Sequence, residues 1–282
     1  MSSIDHFESS FRAALQSQYS PRPAQFRDVL LLSDLEGEAL DRFTKAAEGL
    51  LAHQRDGMQI TVAPATASVE LQQLLELIEQ DQPDLICSYR NLHTDHGRWP
   101  YTLGDHVEVL TQITEIPILL LPRPELLPSD GYSAPKRVMA LTGHLADSPE
   151  LVDAALAFLG EEGGLSLSHI EDDLTFERYL EAIGRVPQID TALAREKISA
   201  SLLDAPRRFI EACQRSLATE RPKVKVDAVV EMGHHLKRYR QLTEDKAIDL
   251  LVFPTKDDDQ LAMHGMAYPL AIELRDLPLL ML

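Results

Sequence analysis

Residues 83–87, Pro-Asp-Leu-Ile-Cys, return at 248–252 as Ile-Asp-Leu-Leu-Val, and a second matched stretch follows each copy. Ile-Pro-Ile-Leu-Leu-Leu at 116–121 corresponds to Leu-Pro-Leu-Leu-Met-Leu at 277–282. Short apolar runs of this kind are typical of buried strands. Because the two stretches keep their order in both copies, the sequence predicts a structural unit that occurs twice.

The two copies differ in length. A first strand, Asp-Val-Leu-Leu-Leu at 28–32, matches Arg-Val-Met-Ala-Leu at 137–141. From the valine of this strand to the repeated aspartate there are 55 residues in the first copy and 111 in the second. We therefore expect the first copy to lack about one strand–helix unit.

Between the matched stretches, apolar runs alternate with segments of helical periodicity. In the first copy, strand patterns at 29–32, 58–63 and 84–88 are separated by helical patterns at 36–53 and 68–80. Strands that are apolar on both faces are typical of parallel sheets covered by helices on both sides. The sequence predicts an α/β fold with two tandem Rossmann-like domains and mostly parallel sheets, the first domain being shortened.

Breaks in composition predict the domain boundaries. Four prolines at 122–135 indicate a linker. A long helical region at 175–219 is expected to be interrupted near Pro187 and Pro206. The predicted parts are an N-terminal amphipathic helix at 1–20, a first domain at 24–122, a Pro-rich linker at 123–135 and a second, complete domain at 136–282.

The N-terminal helix carries Ile4, Phe7, Phe11 and Leu15 at helical spacing. Its apolar face could cover surface left by the missing unit of the first copy, dock on a partner, or pack across a dimer. We favour the first of these roles, because a missing strand–helix unit leaves apolar surface to bury.

The charge of the chain excludes several classes of function. Lys and Arg number 27 against 45 Asp and Glu, a net charge of −18, and both halves are acidic. Such a chain repels phosphate backbones and anionic lipid. No apolar run is long enough to span a bilayer, and the first residues do not resemble a signal peptide. We expect no nucleic-acid partner, no membrane insertion and a cytoplasmic location.

Candidate catalytic groups are scarce. Cys87 and Cys213 lie in separate apolar stretches, so we expect buried, reduced thiols. The His93-Thr94-Asp95-His96 stretch has no third histidine or cysteine at ligand spacing, so a solvated loop is favoured over a metal site. His234-His235 could face a crevice, but a helix-entry pair facing water is favoured. We predict no metal site, no catalytic residue and no enzymatic activity.

These repeated stretches resemble the universal stress protein family. In each copy a glycine, Gly104 or Gly265, stands 13 residues before the proline of the last strand, as in that family's glycine loop and helix. The resemblance implies a five-stranded α/β fold, with Asp34 near a nucleotide at the end of the first strand. It also implies that the last strand pairs across a dimer. The two copies could therefore form an intramolecular pseudo-dimer, and a homodimer stays open.

Members of that family that bind ATP use a G-x2-G-x9-G-[S/T] loop, whose glycines let backbone N–H groups approach the phosphates. In the first copy the two leading glycines correspond to Tyr89 and Leu92. In the second copy they correspond to Pro254 and Asp257, within an acidic run at 257–259. We expect no cofactor, and binding of ATP or AMP is the alternative.

A small-ligand pocket, if present, is expected at the carboxyl ends of the strands. Arg90 could bind an anion there together with Arg98 and Trp99, or these side chains could pack the loop against the linker. The candidate ligand-binding residues are Asp34, Arg90, Gly104 and Asp105 in the first copy, and Thr142, Gly143, Thr255 and Gly265 in the second.

The function predicted from these features is that of a non-catalytic regulatory protein. It would act by binding a protein partner, which the resemblance implies to be a transporter or a stress-response component, or by binding a small ligand. The alternative is an ATP or AMP sensor with an atypical phosphate loop, in which Arg90 and Arg98 replace the glycine amides. A nucleotide hydrolase-like enzyme is a third reading, supported by fold analogy alone.

Overall fold

The computed structural model describes residues 19–54, 56–63, 71–93, 101–141, 149–256 and 265–282. Of the amphipathic helix predicted at 1–20, residues 1–18 lie outside the described residues. None of the described helices is long and apolar enough to cross a membrane.

In the described residues of the first half, four strands alternate with three helices. In chain order these are β1 (Asp28–Leu31), α1 (Gly37–Leu50), β2 (Gln59–Val62), α2 (Leu71–Asp81), β3 (Leu85–Tyr89), α3 (Asp105–Ile113) and β4 (Ile118–Leu121). Single turns of 3₁₀ helix follow α1 at Ala52–Gln54 and β4 at Pro124–Leu126.

The part of the second half that the structure describes has five strands and five helices. They are β5 (Arg137–Leu141), α4 (Pro149–Leu159), β6 (Gly163–Asp172), α5 (Asp173–Ile183), α6 (Thr191–Glu220), β7 (Val224–Gly233), α7 (His235–Asp245), β8 (Leu250–Phe253), α8 (Ala267–Glu273) and β9 (Leu279–Met281).

The nine described strands form one sheet in the order β2-β1-β3-β4-β9-β8-β5-β6-β7. Every neighbouring pair is parallel except β4 and β9, which are antiparallel with Leu119 opposite Leu280. The second half therefore has the doubly wound order 3-2-1-4-5, and the first half has one strand fewer. The predicted α/β fold, the shortened first unit and the pairing between the two last strands are confirmed.

The repeated aspartate has the same structural role in both halves. Asp84 Oδ2 accepts hydrogen bonds from the backbone N–H groups of residues 27 and 28, at 2.9 and 3.1 Å. Asp249 Oδ2 accepts equivalent bonds from residues 136 and 137, at 3.0 and 2.8 Å. Each carboxylate thus satisfies the donors at the start of its first strand, which gives a physical reason for the repeated Asp-Leu pair.

Reciprocal hydrogen bonds join the halves on either side of the β4–β9 pair. Arg90 of the first half donates from Nη2 to the carbonyl oxygen of Leu274, at 2.8 Å. Lys256 of the second half donates from Nζ to the carbonyl oxygen of Thr114, at 2.9 Å. Both carbonyls stand just beyond the C-terminus of a helix, α8 and α3 respectively, where the helix leaves acceptors unpaired.

The Pro-rich segment predicted as a linker packs closely on α1. A Cβ atom on Gly49 would overlap the carbonyl oxygen of Tyr132. Gly131 has φ +75°, and a Cβ there would lie 2.9 Å from the carbonyl oxygen of Lys45. Both glycines therefore allow two backbone segments to approach each other.

The interruption predicted at Pro206 is wrong, whereas the one near Pro187 is present. Residues 184–190 separate α5 from α6, and Asp190 caps α6 by accepting hydrogen bonds from the N–H groups of Ala192 and Leu193. Pro206 lies inside the continuous helix α6. Its missing N–H removes one hydrogen bond, to the carbonyl of Leu202, and the helix continues on both sides of it.

The described chain begins on the second half. The Tyr19 hydroxyl donates to Asp153 Oδ1 of α4 at 2.6 Å, and its ring packs edge-on against Phe209 of α6 with centroids 6.5 Å apart. Residue 19 therefore lies on the second, complete half. The predicted N-terminal helix was expected to cover the first, shortened half.

Both cysteines are free and buried, as predicted. Burial raises the pKa of the Cys87 thiol, and burial followed by the charge of Asp153 raises the pKa of Cys213 to about 12. Because the thiolate is the reactive form, we expect neither thiol to be alkylated by iodoacetamide in the folded protein and both to be alkylated in denaturant. Mass spectrometry measures this, and a modified cysteine in the folded protein would contradict the buried placement.

Candidate functional site

The carboxyl ends of the strands face opposite edges of the sheet in the two halves. This follows from the antiparallel β4–β9 pair, in which Ile118 at the start of β4 lies opposite Met281 at the end of β9. Ligands of open α/β sheets bind outside the carboxyl ends of the strands. The candidate residues of the two copies therefore belong to two separate sites.

In the first half, Asp34 and Tyr89 form the centre of the site. The Tyr89 hydroxyl donates to Asp34 Oδ1 and accepts from the Asp34 backbone N–H, whose nitrogen lies at 3.0 Å. The Tyr89 ring is buried and packs edge-on against Phe43 of α1, with centroids 5.1 Å apart. Burial, followed by the hydrogen bond to Asp34, raises the pKa of Tyr89, so the phenol stays protonated and can donate.

His93 also contacts the Asp34 carboxylate. Its backbone nitrogen lies 3.2 Å from Asp34 Oδ2 and its Nδ1 lies 3.3 Å from the same oxygen. The His93 ring is tilted against that of His106, with centroids 5.1 Å apart. The carboxylate that the resemblance placed near a nucleotide is therefore already bound by two residues of the chain itself, and neither partner was predicted from the sequence.

Leu92 and Gly104 shape the loop between β3 and α3. Leu92 is fully buried. Gly104 has φ +96°, and a Cβ there would lie 2.8 Å from the Cα of Asn91, whose N–H donates to the carbonyl of Leu103 at 2.8 Å. Gly104 thus permits the loop to pack on the start of α3. Asp105 is exposed in the first turn of α3, where a carboxylate stabilises the helix N-terminus.

The guanidinium of Arg90 contacts the second half instead of the Asp34 carboxylate. The residue is only 4% exposed, and its Nη2 bonds the carbonyl of Leu274. Successive side chains at the end of a strand point to opposite faces, so Tyr89 packs on α1 while Arg90 is directed towards the segment after α8. The sequence pattern could not specify this, because it depends on where the other half lies.

Only part of the second site lies within the described residues. Thr255 is buried, and its N–H and its hydroxyl both donate to the carbonyl oxygen of Leu282, at 2.8 and 2.7 Å. Gly265 is exposed and has no atom within 4 Å of its Cβ position. Thr142 and Gly143 fall outside the described residues.

A second polar group lies at the ends of β6 and β7. Sequence reasoning did not single out His169 and Glu171, and it favoured a water-facing position for His235, which is half-buried. His169 Nε2 lies 3.3 Å from Glu171 Oε2, and the ring of His235 stacks on Tyr239 with centroids 6.3 Å apart. Burial lowers the pKa of His235, and the charge of Asp172 opposes this change. His234 is the exposed N-cap residue of α7. For His169 and Glu171, the sequence offered one indication, namely that polar residues follow an apolar run.

Metal binding has little support in the part of the chain that is described. There, no group of three or more His, Cys, Asp or Glu side chains could hold a metal ion. Asp95 and His96 of the candidate loop lie outside that part, as do Arg98 and Trp99, so the prediction of a solvated loop stays a prediction.

Known proteins resemble this chain in structure but not in sequence. No protein-family model and no curated protein sequence matches it. A universal stress protein from Archaeoglobus fulgidus DSM 4304 is 12% identical, with 90% of this chain and 97% of that chain covered and a TM-score of 0.49. A functionally unknown protein from Pseudomonas aeruginosa PAO1 is 13% identical, with 95% and 94% covered and a TM-score of 0.47. Likeness at this identity concerns the fold alone.

Proposed function

From its universal stress protein-like fold, we propose that this chain is a non-catalytic regulatory protein that binds a protein partner or a small ligand and does not bind ATP through phosphate loops. The first-half site carries this proposal. Tyr89 and Leu92 occupy the two leading glycine positions and are buried, and Tyr89 bonds the Asp34 carboxylate. Backbone N–H groups approach phosphates closely where the loop has glycines, and at these two positions the chain has a tyrosine and a leucine instead.

Two features of the second half support the same proposal. The hydroxyl of Thr255, at the end of β8, is already donated to the carbonyl of Leu282. The carboxylates of residues 257–259 stand in the sequence where a phosphate loop would be, and like charges in a cleft of reduced dielectric repel strongly.

The regulatory role itself comes from the resemblance, which implies a transporter or a stress-response component as the partner and a cytoplasmic location. The internal β4–β9 pair uses the strand that the family uses across dimers. The chain would therefore act as an intramolecular pseudo-dimer that needs no second copy for this contact.

The test compares ATP with inorganic triphosphate at equal millimolar concentration and ionic strength. We expect the melting temperature in ATP to equal that in triphosphate, because binding of the adenosine would add stabilisation that triphosphate cannot reproduce. Thermal unfolding followed by circular dichroism measures this, with mass spectrometry for a nucleotide retained through purification. An increase of several degrees specific to ATP, or a retained nucleotide, would instead support the ATP or AMP sensor.

A further inference from the structure

A cleft of about 620 Å³ lies beside the junction of the two halves, apart from the site at Asp34. Its walls come from the segment after β4, from α7, and from the residues that connect α8 to β9. The lining includes Arg123, Leu126, Arg240, Glu244 and residues 273–277.

Among the described residues, two of the arginines in this cleft have no carboxylate partner. Arg123 forms no side-chain hydrogen bond or ion pair within the described residues. Arg275 lies over the ring of Tyr101, with Cζ 4.5 Å from the centroid, and its Nε donates to the carbonyl of Ile272 at 3.2 Å. By contrast, Arg240 at the other end of the cleft bonds both Glu244 and Glu273, at 3.1 and 2.7 Å.

A third guanidinium group, that of Arg90, contacts the cleft from behind its lining residue Leu274. Arg90 bonds Leu274, which lines the cleft, and its Nε is buried without a hydrogen-bond partner within the described residues. Burial, followed by the charge of Arg275 and with a smaller effect of Arg123, lowers the pKa of Arg90 to about 10, while Asp276 opposes this change. Arg90 is therefore still charged at neutral pH.

The clustering is unusual for this chain. Acidic residues outnumber basic ones by 45 to 27, so an arginine has many potential partners. The cleft lining also holds three carboxylates. Glu244 and Glu273 are bonded by Arg240, which leaves Asp276 as the carboxylate nearest in sequence to Arg275 and the one that opposes the effect of the arginines on Arg90. The charges of Arg275 and Arg123 act unfavourably on the charged form of Arg90, and a bound anion would offset this repulsion between like charges.

We propose that this cleft binds a small organic anion through the guanidinium groups of Arg123 and Arg275. A guanidinium group can bind either a carboxylate or a phosphate, because each presents two acceptor oxygens that fit its pair of N–H donors. Leu126 and Leu277 line the cleft and offer apolar contact to the body of the ligand. The inference rests on the proposed function, because it names the class of the small ligand and places it where it contacts both halves.

The test uses inorganic phosphate and citrate as probes, each compared with chloride at the same ionic strength. At saturating millimolar concentration we expect the melting temperature of the full chain to rise by roughly 3 °C with at least one of them. If the melting temperature rises with phosphate alone or with citrate alone, the result shows whether the cleft prefers a phosphate or a carboxylate group.

Paired variants separate this site from general charge effects. We expect the combination of Arg123→Gln and Arg275→Gln to abolish the increase. The control combination of Arg22→Gln and Arg207→Gln changes net charge equally at exposed positions and should retain it. No increase with either anion, or an increase that survives in the cleft variant, would overturn the inference. Failure of this inference would leave the comparison of ATP with inorganic triphosphate valid. Both of those probes carry a triphosphate chain, so their difference reports binding of the adenosine.

Discussion

Replacement of Gly49 by alanine is expected to lower the melting temperature by roughly 6–12 °C. The new Cβ would overlap the carbonyl oxygen of Tyr132 and lie 2.7 Å from its carbonyl carbon. These are backbone atoms, so the Pro-rich segment would have to move away from α1. Overpacking of this kind costs about 3 kcal/mol, and each kcal/mol corresponds to roughly 2–4 °C in a chain of this size.

The sign of the effect makes the experiment informative, because alanine normally favours a helix over glycine by about 1 kcal/mol. Gly184→Ala is the matched control. Gly184 has φ −63°, and the nearest atom to its Cβ position, the carbonyl oxygen of Leu180, is 3.4 Å away. We expect this variant to be neutral or slightly stabilised. If Gly49→Ala behaves in the same way, the segment does not pack on α1 as described.

A second large effect is expected at the strand pair that joins the halves. Leu119 of β4 and Leu280 of β9 lie opposite each other, and both are fully buried. Truncation of a buried leucine to alanine costs about 2–5 kcal/mol, depending on how far the cavity collapses. We expect Leu119→Ala and Leu280→Ala each to lower the midpoint of one shared unfolding transition, because all nine strands belong to one sheet.

Denaturant titration followed by circular dichroism and by tyrosine fluorescence measures this, since coincident curves indicate a single transition. Leu193→Ala is the control, because Leu193 is 52% exposed and its truncation should change stability by less than about 0.5 kcal/mol. Two separated transitions, with each variant shifting only one of them, would show that the halves unfold independently.

The candidate site was partly accessible from the sequence. The repeat located the loop after β3, and the glycine pattern identified Tyr89 and Leu92 as replacements for glycine. The bond between Tyr89 and Asp34 could not be predicted, because it joins the ends of two neighbouring strands whose register the sequence does not state. Arg90 was grouped with Asp34 for the same reason, although its guanidinium contacts the second half.

The α/β class, the duplication and the shortened first copy could all be inferred from the residues alone. Each is a property of local periodicity or of motif recurrence, and both Asp84 and Asp249 show that a repeated residue can have a repeated structural reason. The continuity of α6 through Pro206 and the cluster of Arg90, Arg123 and Arg275 emerged from the assembled fold. They depend on tertiary packing, in which Pro206 is buried, and on the antiparallel β4–β9 pair, which brings distant segments together in a way that no local pattern records.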